Sequence, residues 1–244
     1  MKKHFFIIVC VFFVSPVLGD MTVEITHQDG YHFGGLGEYT NEVTGDPITY
    51  GSTTIPTGTK FQSFCMEQTE FLDIGKEYDV IVNTGSTMGG GGGDGTFDPL
   101  DARTAFLFTS FSLGTLPGYD YTPGYGREMS ARALQYVLYG IEGEMGQSWT
   151  PEAGLQTDFW NLAYEATEIA DPWLDDPNPT GYTTDGIATW SGIGDVRVLN
   201  LYALGHAGDP DYVIQDQLVV PVPAAFLLGL LGLGAAGVKL RKFA

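Results

Sequence analysis

Cysteine is scarce in this chain of 244 residues, which contains only Cys10 and Cys65. Cys10 lies in an apolar run behind two lysines, and small residues follow before Asp20, so residues 1–19 are predicted to be a signal peptide. Cleavage there removes Cys10 and leaves the exported chain with one thiol, which excludes an intramolecular disulfide. Three roles remain open for Cys65: a buried inert thiol, half of an intermolecular disulfide, or a reactive group.

Basic residues are also scarce in the exported part of the chain. Residues 20–220 carry all 30 acidic side chains and only six of the 11 basic ones, which gives a formal charge of −24. Nucleic-acid binding needs basic patches, so this balance excludes DNA and RNA as partners. The charge suits a soluble surface domain and does not by itself specify a function.

Signatures of common catalytic and metal sites are missing. The sequence has no G-x-S-x-G elbow, and the glycine run 89–93 lacks the Gly-Lys-Ser/Thr of a phosphate loop. His27, His32 and His206 have neither zinc-site spacing nor a cysteine partner. No pair of catalytic carboxylates can be singled out among 30 acids. We therefore predict that the protein is not an enzyme and holds no metal centre.

Two loops bear a limited likeness to calcium sites. Residues 89–94 read G-G-x-G-x-D, one unit of a calcium β-roll, but a β-roll needs tandem copies, and a flexible loop is the favoured interpretation. "DPNPTG", Asp176 to Gly181, is similar to the first half of an EF-hand loop, although Ile187 occupies the position of its bidentate Glu. We predict no cofactor and leave weak calcium binding by acidic loops open.

Hydrophobic patterning predicts strands, then helices, then strands. Alternating or β-branched residues predict strands over 21–26, 38–43, 48–55, 59–67 and 77–83, with Cys65 on the fourth. Helical spacing predicts helices over 100–113 with Asp98 as the cap, from Ser130 to about Tyr139, and over 152–170. Strands over 195–204 and 212–220 close the domain. The predicted fold class is α+β, a β-sandwich or barrel-like ectodomain with an inserted helical section.

The C-terminus carries a long uncharged segment. No charge interrupts residues 218–238, and Lys239, Arg241 and Lys242 follow. This length predicts a transmembrane helix whose basic end stays in the cytoplasm. The predicted organisation is a signal peptide (1–19), an exported ectodomain (20–217), and a C-terminal segment (218–244) that contains the transmembrane helix and basic tail.

The start of that segment reads Val220-Pro221-Val222-Pro223-Ala224-Ala225. With the apolar helix and the basic cluster behind it, this stretch resembles the PEP-CTERM sorting signals of Gram-negative bacteria, in the variant written VPLPA. The resemblance covers about the last 25 residues and implies an exosortase, a membrane protease-transpeptidase, as a partner. It also implies that the chain is held in the inner membrane by its helix before processing, and afterwards lies at the cell surface or outside the cell.

A second resemblance concerns Cys65. Phe64-Cys65 and the run Leu134-Gln135-Tyr136-Val137-Leu138-Tyr139 resemble the two signatures of bacterial thioester domains. A closing "QDQL" stretch, here residues 215–218, accompanies a similar cysteine strand and "LQ" helix in PEP-CTERM proteins. In such domains a thiolate displaces ammonia from a glutamine side chain, and the acyl group can then pass to an amine or hydroxyl. The resemblance implies Cys65 as the thioester sulfur and Gln135 as the acyl donor.

Two functions of different kinds follow. The first is a cell-surface or extracellular-matrix protein of biofilm or adhesion type that attaches covalently to a partner through a Cys65–Gln135 thioester. The second is a non-covalent structural or binding module of the envelope or exopolysaccharide matrix, in which Cys65 is a buried strand cysteine and Gln135 an exposed helix residue. In both, the surface, matrix or polysaccharide partner is unidentified.

Overall fold

The computed structural model describes residues 20–87, 97–146, 148–167 and 190–220. These residues form a mixed fold in which three helices pack with a curled antiparallel sheet, a half-barrel. The strands are β1 (Thr22–Thr26), β2 (His32–Phe33), β3 (Leu36–Gly37), β4 (Tyr39–Val43), β5 (Ile48–Tyr50), β6 (Thr53–Ile55), β7 (Lys60–Ser63), β8 (Lys76–Asn83), β9 (Gly85–Ser86), β10 (Asp98–Pro99), β11 (Arg197–Ala203) and β12 (Val213–Val219). The helices are α1 (Ala102–Ser112), α2 (Tyr125–Ile141) and α3 (Leu155–Thr167), with a 3₁₀ turn at Pro210–Tyr212.

Several predicted features fall on other parts of the chain. The signal peptide, the G-G-x-G-x-D loop, the EF-hand-like loop, and the sorting segment from Pro221 onward lie outside the described residues. No helix within the described ranges is long and apolar enough to cross a membrane. Of the segment predicted to span the membrane, residues 218–238, only 218–220 are described, and Leu218 and Val219 belong to β12.

The sheet has the strand order β12-β11-β8-β1-β4-β7, and all neighbouring strands pair antiparallel. It begins at β7, early in the chain, and ends at β12, the last strand described. The two edges of the sheet lie close together, since an isolated antiparallel bridge pairs Cys65 with Gln217. Curling of the sheet therefore brings residues 152 positions apart side by side.

Alternation of side chains along the strands gives the sheet two apolar faces. One face carries Phe64, Val198 and Leu218 and packs against the three helices. The opposite face carries Cys65, Leu199 and Val219, together with apolar residues of the other main strands. Neighbours in sequence thus point to opposite sides, and Cys65 points away from the main helix-packing face.

The helical section is inserted between β10 and β11, as predicted, but its three helices begin at other residues than predicted, at Ala102, Tyr125 and Leu155. Asp101, not Asp98, caps α1, because its carboxylate accepts a 2.7 Å hydrogen bond from the Arg103 N–H. Asp98 instead pairs with Ser86 in the β9–β10 ribbon. Helix α2 begins at Tyr125, after Gly124 at a φ of 133°, so Ser130 lies inside the helix.

Candidate functional site: a buried thiol where the sheet edges meet

The site lies at the pairing of residues 63–66 with residues 216–218, which we call the seam. Two main-chain hydrogen bonds of 3.0 Å hold it, from the Leu218 N–H to the Phe64 carbonyl and from the Met66 N–H to the Asp216 carbonyl. The Ser63 hydroxyl adds a 2.6 Å bond to the Leu218 carbonyl. Cys65 and Gln217 face each other in the middle of the seam, and both are fully buried.

The Cys65 sulfur contacts the side-chain amide of Gln217. Gln217 Nε2 lies 3.0 Å from Cys65 Sγ. The carbonyl carbon Cδ is bonded to Nε2 at about 1.33 Å, so it lies within about 4.3 Å of the sulfur. This upper bound is about 1 Å longer than the roughly 3–3.5 Å separation from which a nucleophile attacks a carbonyl carbon. The thiol and a carboxamide are therefore brought together, but the carboxamide belongs to Gln217.

Gln135, the predicted acyl donor, also reaches Cys65, but it contacts the main chain. Gln135 Oε1 accepts a 3.1 Å hydrogen bond from the Cys65 N–H, and Gln135 Nε2 donates a 2.8 Å bond to the Cys65 carbonyl. The side chain thus pairs with the Cys65 peptide groups as a neighbouring strand would. Gln135 is fully buried, so it is not the exposed helix residue of the second interpretation.

Hydrogen bonding distinguishes the two glutamines. Both polar atoms of the Gln135 carboxamide are paired, and loss of its nitrogen as ammonia would leave the Cys65 carbonyl without this donor. Among the described residues, the Cys65 sulfur, a weak acceptor, is the only hydrogen-bond partner of Gln217 Nε2, and Gln217 Oε1 is buried without a partner. Replacement of the Gln217 amide by an acyl–sulfur bond therefore removes only one weak hydrogen bond. The geometry favours Gln217 as the acyl donor and Gln135 as the residue that positions Cys65.

The surroundings of the thiol keep it protonated. Burial raises the pKa of Cys65 to about 12, and hydrogen bonding with Gln217, Tyr39 and Tyr139 offsets this only in part. The thiolate is the reactive form, so a free Cys65 in the folded protein is inert towards thiol reagents at neutral pH. Attack on the adjacent carboxamide must therefore move the thiol proton to the departing nitrogen in the same process.

Two buried carboxyl groups flank the seam. Glu67 Oε2 accepts a 3.0 Å hydrogen bond from the Asp216 N–H, and Glu67 Oε1 is buried without a partner among the described residues. The Asp216 carboxylate accepts bonds from Asn200 Nδ2 and from the N–H groups of Thr87 and Leu201. Burial raises the pKa values of both acids, and Asp216 raises that of Glu67 further. Because Asp216 has more donors, it is the better of the two sites for the negative charge.

This pair gives stability a pH dependence. The pKa values of both acids in the folded protein lie above the roughly 4 expected when the chain is unfolded, so the folded state holds protons that the unfolded state releases. The contribution of the two protonated acids to the free energy of unfolding is complete below about pH 4, and it is lost as the pH rises through their raised pKa values.

We expect a lower free energy of unfolding at pH 9 than at pH 5 in urea titrations, and a smaller difference between the two pH values in Glu67→Gln. Asp29→Asn, at an exposed position, should show the same difference as wild type. An equal difference in wild type and Glu67→Gln would contradict the assignment of this pH dependence to Glu67.

Removal of the Gln135 carboxamide should be costly. Gln135→Leu keeps the volume but leaves the Cys65 N–H and carbonyl without these partners in a buried site, at about 1–3 kcal/mol for each group. Urea unfolding at pH 7 should show a loss of about 2–6 kcal/mol in the free energy of unfolding. Tyr136→Leu, the adjacent and less buried position on α2, is the matched control and should lose far less. Equal losses would argue against a clamp at Gln135.

The other predicted site residues have simpler outcomes. Val220, the first residue of the sorting motif, is partly buried and packs against the helix-facing core. The remaining sorting residues (Pro221, Pro223, Ala224, Ala225, Lys239, Arg241 and Lys242) lie outside the described residues. Within the described part of the chain, no group of three or more His, Cys, Asp and Glu side chains has the arrangement of a metal site.

Comparisons with protein-family models, with curated proteins and with solved structures found no match for this chain. The function therefore has to be argued from the site itself.

Proposed function

We propose that this chain is an exported cell-surface or extracellular-matrix protein that attaches covalently to a partner through an internal thioester between Cys65 and Gln217. The observation that carries the proposal is the 3.0 Å contact between Gln217 Nε2 and Cys65 Sγ inside a water-excluded seam. Water exclusion matters because a thioester hydrolyses when water reaches it.

The chemistry is an exchange of one acyl bond for another. The Cys65 sulfur bonds to Gln217 Cδ, the Cδ–Nε2 bond breaks, and the nitrogen leaves as ammonia with the thiol proton. A primary amine on the partner then bonds to Cδ, the Cδ–Sγ bond breaks, and the amine proton passes to the sulfur. The partner ends as an amide of Gln217, and Cys65 returns to a thiol.

The cellular setting of the proposal comes from the termini. A signal peptide over residues 1–19 exports the chain, and the segment from Val220 onward is recognised by an exosortase. The C-terminal helix holds the chain in the inner membrane until processing, after which the ectodomain lies at the cell surface or in the matrix. The protein is a one-turnover crosslinker and not an enzyme, and it needs no cofactor.

A second candidate is a non-covalent structural or binding module of the envelope or matrix. Complete burial of Cys65 and the raised pKa of its thiol favour it, because they also describe an inert core cysteine. In that case Gln217 Nε2 simply donates to the sulfur, at the cost of a poorly paired amide.

Reaction with a tagged amine separates the two candidates. The purified protein is incubated with dansylcadaverine, denatured in acid, and mapped by peptide mass spectrometry. The thioester predicts dansyl label on Gln217 alone, and none in Cys65→Ala, which lacks the sulfur. An unlabelled wild-type protein would favour the non-covalent module, and label on Gln135 instead would overturn the choice of donor.

A further inference from the structure

The acyl donor lies very close in sequence to the sorting segment. Gln217 is on β12, and the sorting segment begins three positions later, at Val220. Gln135, by contrast, lies 85 residues before Val220 and is separated from it by the rest of α2, α3, β11 and β12. The identity of the donor therefore decides how much of the protein stands between a captured partner and the C-terminal tail.

Acyl transfer leaves the partner on one side chain. After the amine has displaced the sulfur, the new covalent bond joins the partner to Gln217 Cδ, and Cys65 no longer has a covalent link to Gln217. Any pull between the partner and the tail then travels through the Gln217 side chain and the main chain of residues 217–220. Residues 20–216 are joined to this path only by their peptide link to Gln217 and by non-covalent contacts.

We infer that the captured partner is tethered covalently through residues 217–220 alone, so that residues 20–216 lie outside the covalent path between the partner and the C-terminal tail. This inference rests on the proposed function, since it needs the Gln217 thioester and a tail that is held at the cell surface. If so, unfolding of residues 20–216 neither lengthens nor breaks the covalent tether between the partner and the tail.

The geometry of β12 makes this path short and stiff. Residues 217–219 are already extended in the sheet, at about 3.3–3.4 Å per residue, so tension cannot draw out much more chain. With Gln135 as the donor, unfolding under load would release up to 85 residues, about 290 Å of extended chain. The two attachment points therefore predict tethers that differ more than tenfold in the length they can gain up to Val220.

Single-molecule pulling tests the inference. The wild-type protein is reacted with a cadaverine-linked DNA handle, a second handle is joined to the C-terminus, and the force is raised until the tether breaks. We expect no stepwise gain in length beyond about 95 Å before rupture, which is the fully extended length of residues 217–244. In the matched control, handles at the amino terminus and the C-terminus of amine-opened protein should give a clear unfolding step, because the whole domain then lies in the path.

The outcomes are distinguishable from failure of the proposed function. A protein that never couples to the amine handle would overturn the thioester and the load path together. A coupled protein that gains about 290 Å before rupture would overturn the load path and leave a thioester at Gln135. Coupling without a step beyond about 95 Å, in molecules whose end-to-end control unfolds, supports the four-residue tether.

Discussion

Replacement of Gln217 by Ala should abolish amine labelling, with at least a hundredfold loss of dansylcadaverine incorporation at equal protein concentration. The site contains three glutamines, Gln135, Gln215 and Gln217. Of these, only Gln217 has a hydrogen bond from its amide nitrogen to the Cys65 sulfur, at 3.0 Å. Removal of the acyl group leaves nothing for the sulfur to attack. The measurement is in-gel fluorescence, with the modified residue located by peptide mass spectrometry.

Gln215→Ala is the matched control for this variant. Gln215 lies two positions earlier on the same strand and is also buried, but its Nε2 donates to the Glu67 carbonyl and to the Tyr139 hydroxyl. Gln215→Ala should lose stability and keep amine labelling within about threefold of wild type. If Gln217→Ala labelled normally while folded, Gln217 would not be the donor.

Opening of the Cys65–Gln217 thioester should lower the free energy of unfolding by about 5 kcal/mol. A Cys65–Gln217 crosslink closes a loop between positions 152 residues apart, and the chain-entropy relation for crosslinks gives about that value for such a loop. Urea unfolding of the same protein before and after methylamine treatment measures the difference directly. The closed form should also show a smaller m-value, because its crosslinked unfolded state exposes less surface.

Cys65→Ser controls for effects of methylamine that do not involve the bond. It has no thioester to open, so its urea midpoint should be the same with and without the amine. Equal midpoints for treated and untreated wild type, with treated Gln217 confirmed as the methylamide, would mean that the bond does not constrain the chain.

Local patterns predicted the mixed fold class and most strands of the main sheet. The predicted strand over 59–67 was too long, because β7 ends at Ser63 and Cys65 forms only an isolated bridge. Apolar and β-branched residues predicted β1, β4, β8, β11 and β12 within a few residues, because side chains of each strand point into a core. The predicted strand over 48–55 is instead the β5–β6 hairpin, since the turn at Tyr50–Thr53 interrupts it. The cap positions were wrong because several Asp and Ser residues near each helix start can serve, and only the three-dimensional path of the chain selects among them.

The donor glutamine shows where local patterns stop being informative. "QDQL" belongs to a short sequence pattern, yet its register against Cys65 depends on curling of the whole sheet, which no short motif encodes. The "LQ" helix motif correctly marked a residue that touches Cys65. It could not show that the Gln135 carboxamide pairs with the Cys65 peptide groups and leaves the sulfur to Gln217.

Burial of Cys65 also changes how its state must be measured. A free thiol in this site would resist alkylation in the folded protein as a thioester does, because its pKa is raised to about 12 and it is fully buried. Protection from thiol reagents under native conditions therefore cannot separate the two states. The mass of the protein, or alkylation after denaturation, can.

The most direct test is the intact mass of the purified protein, denatured in acid so that a thioester survives. The Cys65–Gln217 bond predicts a mass about 17 Da below that of the sequence of the processed chain, since ammonia is lost. Digestion in acid should give a crosslinked pair of peptides containing Cys65 and Gln217. A mass equal to that of the sequence, with Cys65 fully alkylated after denaturation, would contradict the account.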